Sequence, residues 1–323
     1  MQRFKRILAV VDMTRSSSLA LVRAVNLAQN NKASLTVVCV VPRMTAATGV
    51  PEGGPKSCDL QKYVVNGAKK ELAAATNPFL SEMDIQTTVL TGTPFLEIIK
   101  EVLRNDHDLV IKSPEIYSWL DRMFGSEDMH LLRKCPCPVW LVKPSASNTY
   151  QRILAAVDVD RDYPPDEMAK RHKLNLQILE MAASQALSDS AEFHVVHAWQ
   201  TIEEGLFRNP FIDISKAGVN DHIEETRNLH DQALEKLINE VTVKKNAEFG
   251  KFPGPQKHLI RGLAQKEIPT LVNKLRVDLV VMGTVARTGI PGFFIGNTAE
   301  TILSQINCSV LAIKPADFVS PVT

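Results

Sequence analysis

The sequence lacks the features that would indicate a membrane protein or a nucleic-acid-binding protein. It has no run of about 18 apolar residues, so it offers no candidate membrane span. Its 37 basic and 36 acidic side chains leave a net charge of +1, which gives no signal for binding nucleic acid or an acidic surface. The first apolar run ends at Asp12 and is too short for a signal peptide.

Cysteine is also scarce, and its spacing does not match a metal site. The chain has five cysteines, and the segment from Cys135 to Cys137 is one residue shorter than the CxxC spacing of metal ligands. Cys39, Cys137 and Cys308 lie in or beside apolar stretches, where a small thiol that only packs is expected. We therefore expect reduced thiols, a cytoplasmic location and no metal site.

What the sequence does contain is a long internal repeat. Four apolar segments of the first half return in the same order in the second half. The pairs are 4–12 with 150–158, 33–41 with 191–199, 107–112 with 277–282, and 137–144 with 308–315. The offset grows from 146 to 171 along the chain, and a repeat of this length indicates a duplicated domain. We predict two domains, copy one at 1–146 and copy two at 147–323.

Each copy alternates apolar strands with helical segments, which predicts a parallel sheet covered by helices on both faces. The predicted strands begin near residues 5, 34, 85, 108 and 138 in copy one, and near 151, 192, 256, 278 and 309 in copy two. Ligands bind such sheets at the carboxyl ends of the strands, where the strand order reverses. Asp158 ends the first strand of copy two, and Gly283 ends the fourth. If these strands are neighbours, both residues face one cleft.

A glycine-rich loop and a short helix connect the fourth and fifth strands of copy two. The glycines and the single basic residue of this loop are Gly283, Gly289, Gly292, Gly296 and Arg287. Asn297 and Thr298 follow, and either fits the N-cap of the helix. Glycines let backbone N–H groups approach a ligand, and a helix start attracts an anion. The loop therefore predicts a phosphate site, although a connection that binds nothing is the alternative.

These segments resemble the universal stress protein family. The resemblance rests on residues 153–158, 281–284, 296–300 and 310–315, and the tandem repeat resembles the two-domain type of this family. It implies an α/β fold in which each copy is a doubly wound, Rossmann-like sheet of five parallel strands in the order 3-2-1-4-5. It also implies a cytoplasmic role in the stress response and pairing of the last strands of the two domains. A homodimer is compatible with it.

The ATP-binding members of this family carry a glycine, two residues, a glycine, nine residues, a glycine, and then Ser or Thr. In copy two those positions are Gly283, Ala286, Gly296 and Asn297. In copy one they are Ser113, Ile116, Gly125 and Ser126. Copy two departs from the pattern at two positions, and copy one has lost the earlier glycines. We therefore predict that copy one is a scaffold with a degenerate ligand loop and that copy two binds the ligand.

The strand ends and the resemblance together predict the binding residues of copy two. They are Val157, Asp158, Ala198, Met282, Gly283, Thr284, Arg287, Gly296, Asn297 and Thr298. The predicted ligand is ATP, another nucleotide-containing molecule, or another small molecule with a phosphate head. Asp12 and Asp158 orient a ribose or a phosphate-bound metal in one interpretation, and hold a turn in the other.

Two loops at the same predicted edge of copy two carry apolar side chains. They are Leu206, Phe207, Phe211, Phe293 and Phe294. In one interpretation these side chains pack on each other or against copy one. In the other they form an apolar wall for a lipid-like tail of the ligand.

The sequence shows no nucleophile elbow, no carboxylate pair at active-site spacing and no metal-binding cluster, so we expect no enzymatic activity. Three functions remain open. The first is a stress-response protein that binds a nucleotide or phosphate-headed ligand without converting it. The second is an ATP-binding switch or weak ATPase, and the third is an interaction protein with an empty cleft.

Overall fold

The computed structural model describes residues 4–12, 18–44, 55–115, 126–144, 148–201, 216–250, 252–284 and 296–322. These residues form two compact units. Unit 1 contains the described residues up to Asn148 and those from Asn307 onward, whereas unit 2 contains those from Thr149 to Ile306.

Unit 1 contains an open parallel sheet formed by copy one. Its strands are β1 (Arg6–Val10), β2 (Ser34–Val41), β3 (Ile85–Thr91), β4 (Leu109–Lys112) and β5 (Val139–Leu141). Its helices are α1 (Ser18–Asn31), α2 (Pro55–Thr76), α3 (Pro94–Asn105) and α4 (Ser126–Lys134). The strand order β3-β2-β1-β4-β5 is the predicted one.

Unit 2 repeats this arrangement. Its strands are β6 (Arg152–Ala156), β7 (Glu192–Trp199), β8 (Gln256–Arg261) and β9 (Leu279–Gly283). Its helices are α5 (Pro165–Asp189), α6 (Lys216–Phe249), α7 (Ala264–Leu275) and α8 (Asn297–Leu303). The strands are parallel in the order β8-β7-β6-β9, so the first and fourth strands of copy two are neighbours, as the predicted cleft requires.

The last strand of the chain, β10 (Ser309–Ile313), lies in unit 1. It runs antiparallel to β5, with Leu311 opposite Trp140. The Lys143 side chain donates to the Asn307 carbonyl at 3.0 Å. The two last strands thus pair with each other, as the resemblance implies, and β10 is grouped with copy one although copy two encodes it.

The start of the fourth strand is tied to the start of the first strand in the same way in both units. An Asp108 carboxylate oxygen accepts the Lys5 N–H at 2.6 Å, and an Asp278 oxygen accepts the Gln151 N–H at 2.8 Å. These bonds hold the first and fourth strands side by side. In unit 2 the resulting register places Ala156 beside Met282.

The sheet core is apolar because helices cover both faces of the central strands. Leu279, Val280 and Val281 of β9 are all fully buried, so this strand shows no alternation of polar and apolar residues. Among the helices that the structure describes, none has the length and apolarity needed to cross a membrane.

Candidate functional site

A cavity of about 430 Å³ lies in unit 2 at the carboxyl ends of the strands. The pairing of β6 with β9 brings the segments that follow these strands to one edge of the sheet. Eight of the predicted binding residues line this cavity, namely Val157, Asp158, Ala198, Met282, Gly283, Thr284, Gly296 and Thr298. Residues far apart in the sequence are therefore brought together as the strand order predicts.

Of the remaining predicted residues, the structure describes only Asn297. Asn297 is exposed at the start of α8 and does not line the cavity. The other predictions, which include the apolar wall, lie outside the described residues. They are Arg287, Leu206, Phe207, Phe211, Phe293 and Phe294.

The two ends of the glycine-rich loop meet beside the cavity, where the Gly296 N–H donates to the Thr284 carbonyl at 3.0 Å. The prediction that this amide binds a phosphate is therefore wrong, because the amide is already paired. The Thr284 side chain offers a different contact. It is fully buried and lines the cavity, and its Oγ1 has no hydrogen-bond partner among the described residues. A buried hydroxyl without a partner is costly, so it points to a ligand atom.

The space beside residue 283 favours a glycine. A Cβ atom at this position would lie 2.9 Å from Cδ2 of Leu174 on α5, which is closer than van der Waals contact allows. Because Cδ2 is the flexible end of the Leu174 side chain, an added Cβ could be accommodated only if this side chain shifts.

Two helices begin at the cavity. Leu263 and Gln265, at the start of α7, line it, as do Thr298 and Ala299 at the start of α8. Neither helix has a side-chain hydrogen bond at its N-cap. The first-turn N–H groups of a helix have no partner within the helix and attract anions. The cavity therefore combines two helix starts with a Thr284 hydroxyl that has no hydrogen-bond partner in the part of the chain that the structure describes.

Asp158 is held by the chain itself. Its Oδ1 accepts the Asp160 N–H at 3.1 Å, and its Oδ2 accepts from the Tyr163 hydroxyl at 3.1 Å and from Arg171 Nη1 at 2.7 Å. The guanidinium also bonds to Glu167 at 2.8 Å and lies 3.6 Å from the centre of the Tyr163 ring. Burial, with the nearby Asp158 charge, raises the pKa of Tyr163 to about 12, so Tyr163 remains a neutral donor. The structure thus shows the turn that was one of the two interpretations of Asp158.

His197 on β7 is also held by neighbouring groups. Its Nδ1 lies 3.3 Å from the Val157 carbonyl oxygen, and its Nε2 lies 3.0 Å from Nδ1 of His230 on α6. Burial lowers the pKa of His197, so the ring is neutral at pH 7. His194 instead pairs with His258 on β8, at 3.1 Å. The two histidines of β7 have separate partners and do not form a metal pair.

Several wall residues are not predicted from the sequence. They include Tyr163, Arg171, Leu174, Asn175, Ile178, His197, Gly262, Leu263 and Gln265. One usable signal was the repeated spacing of Gly92 to Glu97 and Gly262 to Glu267, which marks the same turn before α3 and before α7. The i,i+4 pair of Glu167 and Arg171 was another, but nothing in its spacing connects it to Asp158.

In unit 1, charged side chains of the chain itself lie at the equivalent edge of the sheet. Lys112 and Asp128 occupy the positions of Met282 and Ala299 in copy two, and they form a buried ion pair. The second carboxylate oxygen of Asp128 accepts the Glu115 N–H at 2.7 Å. A carboxylate thus bonds to a backbone amide of the segment after β4.

A second carboxylate of unit 1, that of Glu127, accepts a hydrogen bond from the start of α3. Glu127 Oε2 accepts the Phe95 N–H at 3.0 Å. The equivalent residues of unit 2 are Thr298 and Gln265, and both line the cavity. Unit 1 therefore shows that anionic oxygens fit beside this helix start in this fold. Among the described residues, no group of three or more His, Cys, Asp or Glu side chains could hold a metal ion.

Comparison with known proteins agrees with the fold and the repeat. The sequence profile of the Universal stress protein family matches residues 3–143 and 149–314. Universal stress protein E of Photorhabdus laumondii subsp. laumondii is 27% identical over 331 residues, which cover 100% of this chain and 98% of the relative. Universal stress protein E of Escherichia coli (strain K12) is 33% identical over 230 residues, which cover 71% of this chain and 67% of the relative.

Solved structures show the same architecture over nearly the whole chain. A universal stress protein from Pseudomonas aeruginosa UCBPP-PA14 superimposes with a TM-score of 0.67 at 25% identity, covering 98% of this chain and 95% of that one. A universal stress protein from Archaeoglobus fulgidus DSM 4304 has the same fold, with a TM-score of 0.59 at 15% identity and coverage of 97% and 99%. The chain therefore belongs to the universal stress protein family and carries two of its domains in tandem.

Proposed function

We propose that the cavity of unit 2 binds a small molecule with a phosphate group, with a nucleotide as the first candidate, in a stress-response role and without converting it. The observation that carries this proposal is the difference between the two units. Unit 1 places the Glu127 carboxylate on the amide that begins α3, whereas unit 2 has a cavity at the equivalent place. The chain's own carboxylate thus marks where an anion fits.

Three groups would contact the anion. The Thr284 hydroxyl would donate to a phosphate oxygen, and the starts of α7 and α8 would supply backbone N–H groups. The rest of the ligand would extend through the cavity, whose volume of about 430 Å³ lies within the range typical of small-molecule sites. The Ala that replaces the second glycine of the family's ATP motif lies outside the described residues and is not needed for this placement.

We propose binding without chemistry because the titratable groups on the wall already have partners. Asp158 is bonded to Arg171 and Tyr163, and His197 is paired with His230. A general base must reach the proton that it removes, and these bonds would first have to break. The weak-ATPase alternative requires such a rearrangement.

The test transfers the charged pair of unit 1 into unit 2. In the double variant Met282→Lys/Ala299→Asp, an ion pair with a buried carboxylate would lie beside the proposed anion position, which the Glu127 carboxylate marks in unit 1. We expect ATP affinity, measured by titration calorimetry, to fall by about 100-fold, because the ion pair takes up cavity volume and its carboxylate repels the phosphate at a buried site. A matched control, Leu229→Lys/Val243→Asp, adds the same charges at exposed positions of α6 and should leave the Kd unchanged.

Three measurements on the wild-type protein complete this test. Mass spectrometry of the gently purified protein would detect a phosphate compound that co-purifies, and calorimetry would detect ATP binding. Assay of released phosphate would reveal the weak-ATPase alternative. If the protein neither binds ATP nor carries a phosphate compound, the interpretation as an interaction protein with an empty cleft replaces this proposal. Equal ATP affinities for the wild type and the charged-pair variant would place the site elsewhere.

A further inference from the structure

We infer that Cys135 and Cys137 of unit 1 form a redox-responsive dithiol, which a hydroperoxide converts to a disulfide. The two sulfur atoms are 3.6 Å apart and hydrogen-bonded. The S–S bond of a disulfide is about 2 Å long. The two sulfur atoms must therefore move closer together, by less than the diameter of one atom. The ligand cavity of unit 2 does not use this pair, and the inference is therefore independent of the proposed function.

The two copies differ at this place as well. Cys137 and Cys308 occupy equivalent positions before the last strand of each copy, but the position of Cys135 is Ile306 in copy two. Ile306 is buried, like Cys135, so an apolar side chain is sufficient for packing at this position. A thiol in its place adds chemistry that packing alone does not require.

Lys314 adds a proton acceptor to the pair. Its side chain is buried after β10, with Nζ 3.3 Å from the Arg133 carbonyl oxygen and 4.6 Å from the centre of the Phe318 ring. Burial lowers the pKa of Lys314 to about 7, and a negative charge on Cys135 opposes this shift. Near neutral pH, a large fraction of the amine is therefore unprotonated and can take the proton of the Cys135 thiol.

The reaction then balances in two steps. Lys314 accepts the Cys135 proton. Cys137 is the more exposed thiol, at 8%. It transfers its own proton to Cys135 through their shared hydrogen bond and becomes the thiolate. This thiolate attacks the outer peroxide oxygen, which forms a sulfenic acid and releases hydroxide (or alkoxide), and the Lys314 ammonium protonates the leaving group. Cys135 next attacks the sulfenic sulfur, and the S–S bond forms with loss of water.

The hydrogen bond with Cys135, together with burial, raises the pKa of Cys137, so the reaction should be slow and should accelerate as the pH rises. The experiment treats the reduced, full-length native protein with hydrogen peroxide and follows its intact mass. We expect a loss of about 2 Da, the mass of two hydrogen atoms, that maps to the peptide containing both cysteines and is reversed by dithiothreitol.

Three variants sharpen this result. Cys135→Ile, which copies unit 2, should abolish the mass loss, because both the second thiol and the route of the Cys137 proton to Lys314 are lost. Cys58→Ser removes the exposed thiol of α2 and should leave the mass loss intact. Lys314→Met should slow disulfide formation by at least about tenfold, because the proton acceptor is lost; circular dichroism verifies its fold.

Two outcomes would overturn the inference. In the first, peroxide oxidises Cys58 while the peptide of Cys135 and Cys137 stays reduced in the wild-type protein. In the second, this peptide is oxidised only after the protein is unfolded in denaturant.

Discussion

The edges at the carboxyl ends of the strands have the same backbone arrangement in the two units, but different side chains lie there. In unit 1, Asp128 and Lys112 form a buried ion pair, and Glu127 caps the start of α3. In unit 2, the equivalent positions are apolar or neutral, and a cavity lies there. The Phe95 N–H, which unit 1 satisfies internally, corresponds to the N–H of Gln265, a residue that lines the cavity of unit 2.

In unit 1 the side chains at these positions affect stability, whereas in unit 2 we propose that they affect ligand binding. Breaking a buried ion pair costs about 3–5 kcal/mol, although the intact pair itself contributes little net stability. Unit 1 therefore depends on both charges being present, whereas in unit 2 the Thr284 hydroxyl beside the cavity has no hydrogen-bond partner among the described residues. The comparison teaches that an anion position in this fold can be filled by the chain or left for a ligand, according to a few side chains.

The largest effect is expected from breaking the ion pair of unit 1. Asp128→Ala would leave the buried Lys112 ammonium and the Glu115 N–H without their acceptor, and unit 1 should lose about 3–5 kcal/mol of unfolding free energy. Urea denaturation, monitored by hydrogen exchange of β1 and β4, would measure this loss. The double variant Lys112→Met/Asp128→Ala, with the residues of copy two, should lose less than half as much. Equal losses of unfolding free energy in the two variants would mean that Lys112 and Asp128 do not act as a pair.

A matched pair of glycines compares the turns before α3 and α7. Gly92 and Gly262 have φ angles of +146° and +145°, and an added Cβ would lie 2.9 Å and 2.7 Å from the Cγ atoms of Glu97 and Glu267. Alanine at either position should cost about 1–3 kcal/mol because of backbone strain and crowding. Only Gly262 lines the cavity, so only Gly262→Ala should weaken ATP binding.

The control for these glycine variants is Gly67→Ala. This glycine lies within α2, where an added Cβ meets nothing within 4 Å, and the substitution should stabilise the helix by about 0.5–1 kcal/mol. If Gly92→Ala weakened ATP binding as much as Gly262→Ala, the assignment of the ATP site to the cavity of unit 2 would be contradicted.

Acid should destabilise unit 2 more than unit 1. Burial lowers the pKa of three histidines in unit 2 and of one in unit 1, namely His194, His197, His258 and His107. Below pH about 6.5 these groups bind protons more readily in the unfolded chain, so stability is present above that pH and is lost as the pH falls. Between pH 7.5 and 5.5, unit 2 should lose about 1 kcal/mol more than unit 1.

Hydrogen exchange, corrected for the intrinsic effect of pH on the exchange rate, would compare β6 and β9 with β1 and β4. A greater loss of protection in unit 1 would show that other groups dominate the acid response.

The smallest effect is expected at the start of α3. Glu127→Thr, which introduces the residue of copy two, should remove the acceptor of the Phe95 N–H and cost about 0.5–1 kcal/mol. Glu127→Gln keeps an acceptor oxygen and should retain most of that stability. The first-turn amides of α3 should exchange faster in the Thr variant only. Equal exchange in the two variants would show that the carboxylate does not cap this helix in solution.

The sequence predicted the arrangement of strands and the location of the cavity, because both depend on simple patterns. Continuous apolar runs such as 279–281 identify strands that are buried on both faces. The repeat supports the same strand order in both copies, and that order brings Asp158 and Gly283 to one cavity. By contrast, the predicted role of the Gly296 amide was wrong, since a hydrogen bond to Thr284 across the loop depends on how the loop closes.

The amino-acid sequence by itself determined that the chain is a duplicated α/β protein, and which ends of its strands face a common edge, because hydrophobic periodicity and strand order are properties of the linear pattern. Only the tertiary structure decided what occupies each edge. The pairing of Lys112 with Asp128, and of Arg171 with Asp158, joins side chains from different elements at spacings of 16 and 13 residues. Such contacts have no period in the sequence, since they depend on how each helix packs against its sheet.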